Sequence, residues 1–269
     1  MTANIAPTAV VDPAAKIGNN VSIGHFCVIG PNAEIGDDTT LENHVTVIGH
    51  SKIGQRNHLF QNVVIGAQPQ DVSYQGTDTR VEIGDDNIFR EHCTVHRATE
   101  KEDGLTRIGH NCMFMCNTHI AHDCKLSDRI VIANNTMLAG HVHVQNDATI
   151  SAGIGVHHFV SIGCFSFVGA MSRILQDVPP YMLVEGTPAK VRCANIVALR
   201  RNEYPAEDVR LVTEAYKLLY RSRVGAAAAK ELLLAGGPMR PVLKHLFDFL
   251  EVSHSGRHGR GRDQRRKAA

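Results

Sequence analysis

The chain has no tryptophan, and aromatic residues supply only 5% of its 269 positions. So few rings argue against a core packed around large aromatics. With 43% hydrophobic residues, aliphatic layers are expected to fill it instead. Long apolar runs are missing too, and no stretch approaches the ~20 residues that span a bilayer. Residues 1–15 lack a basic region followed by an apolar run, so no secretory leader is expected. Net charge is only +1, which leaves no general attraction to nucleic acid or membrane. Cysteines number seven, an odd count without a leader, which disfavours a disulfide framework and fits a reducing cytoplasm. Charge is nevertheless uneven. Residues 253–269 hold six Lys and Arg (Arg257, Arg260, Arg262, Arg265, Arg266, Lys267) against one acid. This segment reads as a disordered, solubilising basic tail, with a docking arm for an acidic partner as the alternative.

What the chain does have is a period of six. Every sixth residue from Ile5 to Ile65 is aliphatic, eleven in all. A second run from Ile108 to Ile174 has twelve apolar residues in twelve slots, and Ile83, Phe89 and Val95 form a short run between them. Two places before each slot the residue is usually small or β-branched, as at Thr106, Cys112, Thr118 and Cys124. Gly often follows the slot, as at Gly18, Gly36 and Gly109, where it is expected to accept the backbone angles of a turn. Side chains alternate across a strand, so the slot and the position two before it point the same way, inward. Each unit then gives a short strand and a turn, and three units close one triangular coil. A single coil cannot bury its inner face, so coils must stack into a parallel β-helix. Cys27, Cys93, Cys112 and Cys124 all take the small inward position, which reads as packing.

Two interruptions stand out. Between Ile65 and Ile83 the slots fall on Asp71 and Thr77, which predicts a loop near 67–80. Between Val95 and Ile108 the register slips by one, which predicts a second loop near 97–107. Loops on a rigid scaffold are common places for function. The β-helix is expected over 1–188. Helical spacing follows, with Val209, Val212, Tyr216 and Leu219 on one face and Leu243, Leu246, Phe247 and Leu250 on another. A helical C-terminal domain is expected over 189–252.

Thirteen of the 16 histidines precede residue 160. On a coil of three repeats His122 and His158 share one position, and His157 and His141 lie one place to either side. They stack along one edge of the prism, on coils about 4.8 Å apart. Three readings compete: corner histidines that solvate turns, zinc ligands between subunits (His119 with His122, His141 with His143), or a general base with polar neighbours.

The six-residue pattern resembles the hexapeptide acyltransferase superfamily. That resemblance implies a mainly β fold, a left-handed parallel β-helix with a C-terminal α-helical domain. The general rule for parallel crossovers alone would favour the right hand. Residues 117–124 (NTHIAHDC) are more specific and resemble the catalytic segment of the UDP-N-acetylglucosamine O-acyltransferase family, whose members begin lipid A synthesis in Gram-negative bacteria. Residues 94–97 (TVHR), 138–141 (LAGH), 176–181 (QDVPPY) and 215–222 (AYKLLYRS) match as well. The resemblance implies His122 as general base, oriented by Asp123. It implies the Gly140 N–H as oxyanion donor, and an (R)-3-hydroxyacyl chain moving from acyl carrier protein to the 3-hydroxyl of UDP-N-acetylglucosamine. Asp71, His96, His119, His141, His157 and His158 match or adjoin positions around the sugar, His158 standing where a relative has Gln. Asn195 and Arg201 match nucleotide-binding positions, and Ala170 the position that sets acyl-chain length. A homotrimer is implied, with sites between subunits; no cofactor, metal, nucleic acid or membrane insertion is. The family pattern is broken at Ser73, where Lys often stands, and at Asn202, where a second Arg does.

Rival classes remain. A related acyltransferase could take a 3-amino sugar or use acyl-coenzyme A, since residues 186–190 (GTPAK) also occur in coenzyme A enzymes. A zinc carbonic anhydrase of the same fold would not need the nucleotide-matching helices. A later N-acyltransferase of the pathway carries an N-terminal uridine-binding domain, for which hexapeptides beginning by Ile5 leave no room.

Overall fold

The computed structural model describes residues 3–264. From Asn4 to Ile174 the chain is a succession of strands, mostly two residues long, each followed by a turn. Strands pair not with their sequence neighbours but with every third strand, forming three sheets of 11, 9 and 8 strands. Partners are separated by three repeats, as in Asn4↔Ser22, Val10↔Val28 and Lys16↔Glu34. The result is a left-handed parallel β-helix with three short strands per coil. From Ile23 to Ile174 every apolar residue of the six-residue slot is buried, in one aliphatic column. Its two Phe residues, Phe89 and Phe114, stack with centroids 4.8 Å apart.

The small inward positions complete the core. Cys27, Cys93, Cys112 and Cys124 are fully buried, and each thiol donates to a backbone carbonyl of a neighbouring coil or turn. One of these columns is polar. Asn57 Oδ1 accepts from the Asn87 amide (2.9 Å) and from Asn87 Nδ2 (3.0 Å), Asn87 Nδ2 also reaches the Gly109 carbonyl (3.0 Å), and Asn87 Oδ1 accepts from the Cys112 amide (2.8 Å). Asn87→Leu is therefore expected to destabilise the protein by roughly 3 kcal/mol, because several buried polar groups lose a partner. Urea unfolding at fixed protein concentration measures this; a change below about 0.5 kcal/mol would mean that the ladder contributes nothing.

The glycine after the slot has a different reason from the one expected. Gly36 is not in a left-handed conformation; a Cβ there would lie 2.6 Å from the Gly54 carbonyl of the next coil. Close approach of stacked backbones demands the glycine. The left-handed corners are held mostly by Asn, Asp, His and Arg, such as Asn20, Asp38, His44 and Arg56.

The interruptions are insertions of defined length. His58 pairs with Ile88, so the first loop lengthens its coil by two whole repeats and leaves the period in phase. Thr94 pairs with His119, so the second lengthens its coil by one repeat and one further residue. That further residue is the slip in register. The loops run between strands Val64–Ala67 and Arg80–Ile83, and between Thr94–His96 and Leu105–Ile108. They touch each other: Lys101 pairs with Asp71, Thr77 bonds Glu100 (2.9 Å), and the Arg97 guanidinium lies over the Tyr74 ring.

Two expectations for the C-terminal part give way. Residues 189–194 are not helical: strand Ala189–Ala194 pairs antiparallel with Met182–Gly186 and covers the edge of the largest sheet. Helices follow as α1 (Ile196–Arg201), α2 (Ala206–Tyr216), α3 (Ala226–Ala235) and α4 (Pro241–Ser255), with a π-helical turn Lys217–Arg221 after α2. Nor do residues 253–264 hang free. Arg260 is buried and donates to the Leu175 carbonyl (2.9 Å), and the Gly261 amide donates to Asp177 Oδ2 (2.8 Å). Asp263 pairs with the buried Arg260, so a segment that looks solvated by composition has internal partners for its charge. Arg265, Arg266 and Lys267 lie outside the described residues. No helix among the described residues is long and apolar enough to cross a membrane.

Candidate active site

His122 sits at a coil corner just after strand His119–Ile120, beside the second loop. Asp123 (φ 60°) and His141 (φ 64°) take the left-handed corner conformation, but most coils have such corners, so this is a property of the scaffold and not strain reserved for chemistry. Asp123 is fully buried, accepts from His122 Nδ1 at 2.7 Å, and takes the Thr99 hydroxyl (2.8 Å) and amide (3.1 Å). Burial alone would push its carboxyl up; the bonds from His122 and Thr99, with the charge of nearby His141, outweigh that and hold it below the ordinary value. An ionised carboxylate can only accept, so Nδ1 of His122 carries the proton and Nε2 presents the lone pair.

His122 is one wall of a cleft of about 430 Å3, also lined by Gln70, His119, Gly140, His157 and Arg173. Asp71 Oδ2 lies 3.9 Å from its Nε2. The Lys101 ammonium and then the Ser73 amide hold the Asp71 carboxyl well below the usual carboxylate range. The position two after Asp71 is thus Ser73, bonding Asp71 through its amide and hydroxyl, and the ammonium arrives from the second loop. Gly140 is stacked over His122. A Cβ there would lie 2.4 Å from His122 Cε1 and 2.7 Å from Nε2, so no other residue fits. Among the described residues the Gly140 amide donates to no acceptor, which leaves it available to a ligand.

The other histidines divide. His119 lines the cleft and shares a 2.7 Å hydrogen bond between its Nδ1 and Thr94 Oγ1. Burial first, and His122 second, lower its basicity. His96 is buried edge-on against His119 and does not line the cleft; burial, then its histidine neighbours, bring it to about 4. His141 is also out of the cleft, with Nδ1 bonded to Glu102 Oε1 (3.0 Å), Nε2 3.7 Å from Asp123 Oδ2 and its ring stacked on Phe159. His157 lines the cleft, while His158 faces outward. Asn195, Arg201 and Ala170 are not brought to this cleft within the chain. Asn195 caps α1, accepting from Ala198 (3.3 Å) and donating to the Phe165 carbonyl (2.8 Å); Arg201 is exposed. Asn202 caps the other end of α1.

Thr99, Lys101, Glu102, Gln70 and Arg173 complete the surroundings, and sequence reasoning passed over them. Four of the five lie in or beside the two broken-period segments, so a signal for their region existed though none for their roles. His122, Asp123 and His141 offer donor atoms within 4.8 Å of one another, but both Nδ1 atoms are engaged with carboxylates. Cys124, next to Asp123, is no nucleophile: burial pushes its thiol up to about 12. An imidazole with one ring nitrogen facing the cleft, a buried carboxylate on the other and an undonated amide would suit direct acyl transfer to a hydroxyl or amine, with no covalent intermediate on the protein.

Comparisons with known proteins agree. Residues 14–49 match the family model described as bacterial transferase hexapeptide (six repeats). Residues 177–261 match that of Udp N-acetylglucosamine O-acyltransferase, domain 2. The acyl-[acyl-carrier-protein]–UDP-N-acetylglucosamine O-acyltransferase of Synechocystis is 41% identical over 217 residues, 81% of this chain and 78% of that protein. The UDP-N-acetylglucosamine O-acyltransferase structure from Moraxella catarrhalis is 41% identical with a TM-score of 0.86, covering 91% of this chain and 95% of that one. The Arabidopsis UDP-N-acetylglucosamine acyltransferase structure is 32% identical with a TM-score of 0.78, covering 93% and 96%. With this identity spread over nearly the whole length of both chains, the protein belongs to the UDP-N-acetylglucosamine O-acyltransferase family of hexapeptide-repeat acyltransferases.

Proposed function

We propose that the chain transfers an (R)-3-hydroxyacyl group from acyl carrier protein to the 3-hydroxyl of UDP-N-acetylglucosamine, the first step of lipid A biosynthesis. The observation that carries this reading is His122, with Nδ1 bonded to buried Asp123 and Nε2 facing the cleft under the undonated Gly140 amide. Nε2 takes the proton from the sugar hydroxyl as that oxygen attacks the thioester carbon. The Gly140 N–H stabilises the tetrahedral oxyanion, an effect worth roughly 3 kcal/mol of barrier. Collapse breaks the carbon–sulfur bond, and His122 returns the proton to the departing carrier thiolate. Asp71, His119 and His157 are assigned to the sugar's surroundings, with His96 and His141 acting from behind; His158, exposed and outside the cleft, is given no role there. A homotrimer accounts for Asn195 and Arg201: a neighbouring subunit would bring them to the nucleotide, and Arg suits a diphosphate. Seven free thiols fit a reducing cytoplasm.

Acyl transfer from a panel of 3-hydroxyacyl carrier proteins to UDP-N-acetylglucosamine, followed by mass spectrometry, tests the reading. No product with any donor, alongside product from the 3-amino sugar or from acyl-coenzyme A, would replace it. The panel also tests Ala170. Its methyl is expected to shorten the acyl groove, so donors below the longest should react fastest. Ala170→Gly should raise the 14-carbon rate relative to the 10-carbon rate roughly tenfold. Equal rates with both donors in the unaltered chain count against this.

A further inference from the structure

We infer that Arg262 is a positioning residue for the catalytic pair, and that residues 256–264 form a strap tying the helical end of the molecule to the back of the active site. The inference rests on the acyltransfer reading above and adds a part to it. Arg262 donates through Nη1 to the His141 carbonyl and through Nη2 to both Glu102 oxygens (2.9 and 3.2 Å). Glu102 in turn accepts from His141 Nδ1 at 3.0 Å. The His141 ring meets the His122 ring edge-on, centroids 5.3 Å apart, and its Nε2 faces Asp123. One guanidinium thus holds both the backbone and the side-chain partner of the residue packed against the base.

The strap is built to hold Arg262 there. Arg260, two residues earlier, is buried and bonds the Leu175 carbonyl, and Leu175 itself lines the cleft. The Gly261 amide reaches Asp177 Oδ2, the Asp177 amide donates to the Gly259 carbonyl (2.8 Å), and Asp177 Oδ1 accepts from the Ser161 amide (2.7 Å). Two anchors on residues 175–177 therefore fix the strap before it reaches Glu102. Glu102 lies in the second loop, which also supplies Thr99 to Asp123 and Lys101 to Asp71, so Arg262 braces the loop that orients both carboxylates. The planar guanidinium holds the Glu102 carboxylate through Nη2 and the His141 carbonyl through Nη1 at once, a fixed two-partner geometry that a flexible ammonium does not reproduce.

The full-length protein is compared with Arg262→Ala and Arg262→Lys in steady-state acyl transfer, and the ring signals of His122 and His141 are followed by 15N NMR. Arg262→Ala should lower kcat between about tenfold and a hundredfold with KM values within about threefold, as removal of an orienting partner does. The ring signals should move, and Arg262→Lys should restore part of the rate. Unchanged kcat, a loss confined to KM, or unmoved ring signals would overturn the inference. Should Arg262→Ala fail to fold, Glu102→Gln cuts the same link from the loop side and is held to the same outcomes. If the unaltered chain transfers no acyl group at all, the proposed reaction fails, and the ring signals alone decide the strap.

Discussion

His122→Ala is expected to lower kcat about a thousandfold while the protein stays folded. The magnitude follows from what is left behind. Asp71 lies 3.9 Å from Nε2, but its carboxyl is held far below the usual range by Lys101 and is a poor acceptor for a sugar proton. Asp123 keeps the Thr99 amide and hydroxyl when its imidazole partner is gone, so the buried carboxylate remains partly satisfied. The structural cost should then be no more than about 1–2 kcal/mol. Single-turnover rates together with a thermal melt separate the two effects. A folded His122→Ala protein within tenfold of the intact rate would mean that the proton leaves by another route, and the assignment of His122 would fall.

Gly140→Ala should cost nearly as much, roughly a hundredfold to a thousandfold in kcat, although it removes no functional group. The added methyl would lie 2.4 Å from His122 Cε1, inside any permissible contact, so either the ring or the corner backbone must move. A moved ring spoils the base; a moved corner spoils the amide donor. Because both routes act on one pair, the double variant with His122→Ala should be far from additive and little slower than His122→Ala alone. Independent, multiplicative losses would show that Gly140 serves something other than the space over His122 and the oxyanion.

The column of slots from Ile23 to Ile174 is a case in which a pattern sufficed. A strict period of six can bury its apolar members in only one way, by stacking coils. The same arithmetic placed Cys124 inward and His122 and His158 on one edge. It also located both insertions, the first because a polar residue in a buried slot has no partner there, the second because the register slips by one. The glycine after the slot shows where pattern reading gave the right residue for the wrong cause. Gly36 is required by the distance to the next coil, and that distance is not written in any local run of residues. His96, His119 and His141 show the next limit. Period puts His141 near the site and resemblance adds His96 and His119, but only packing decides that His119 opens to the cleft while His96 and His141 stand behind it.

The chain's own letters therefore determined the β-helix, its aliphatic core, the positions of the loops and the histidine edge, and by resemblance pointed to the pair proposed as catalytic. These depend on residues whose spacing in sequence equals their spacing in space, since every coil repeats the one before. Tertiary structure decided the rest. Lys101 on Asp71, Glu102 on His141 and Arg262 on Glu102 join residues separated by 30, 39 and 160 positions. Composition marked residues 253–264 as solvated, yet they are held by Asp177, Leu175 and Glu102. Charge alone does not say whether an arginine faces water or a carboxylate; that depends on which distant carboxylate the fold brings within reach.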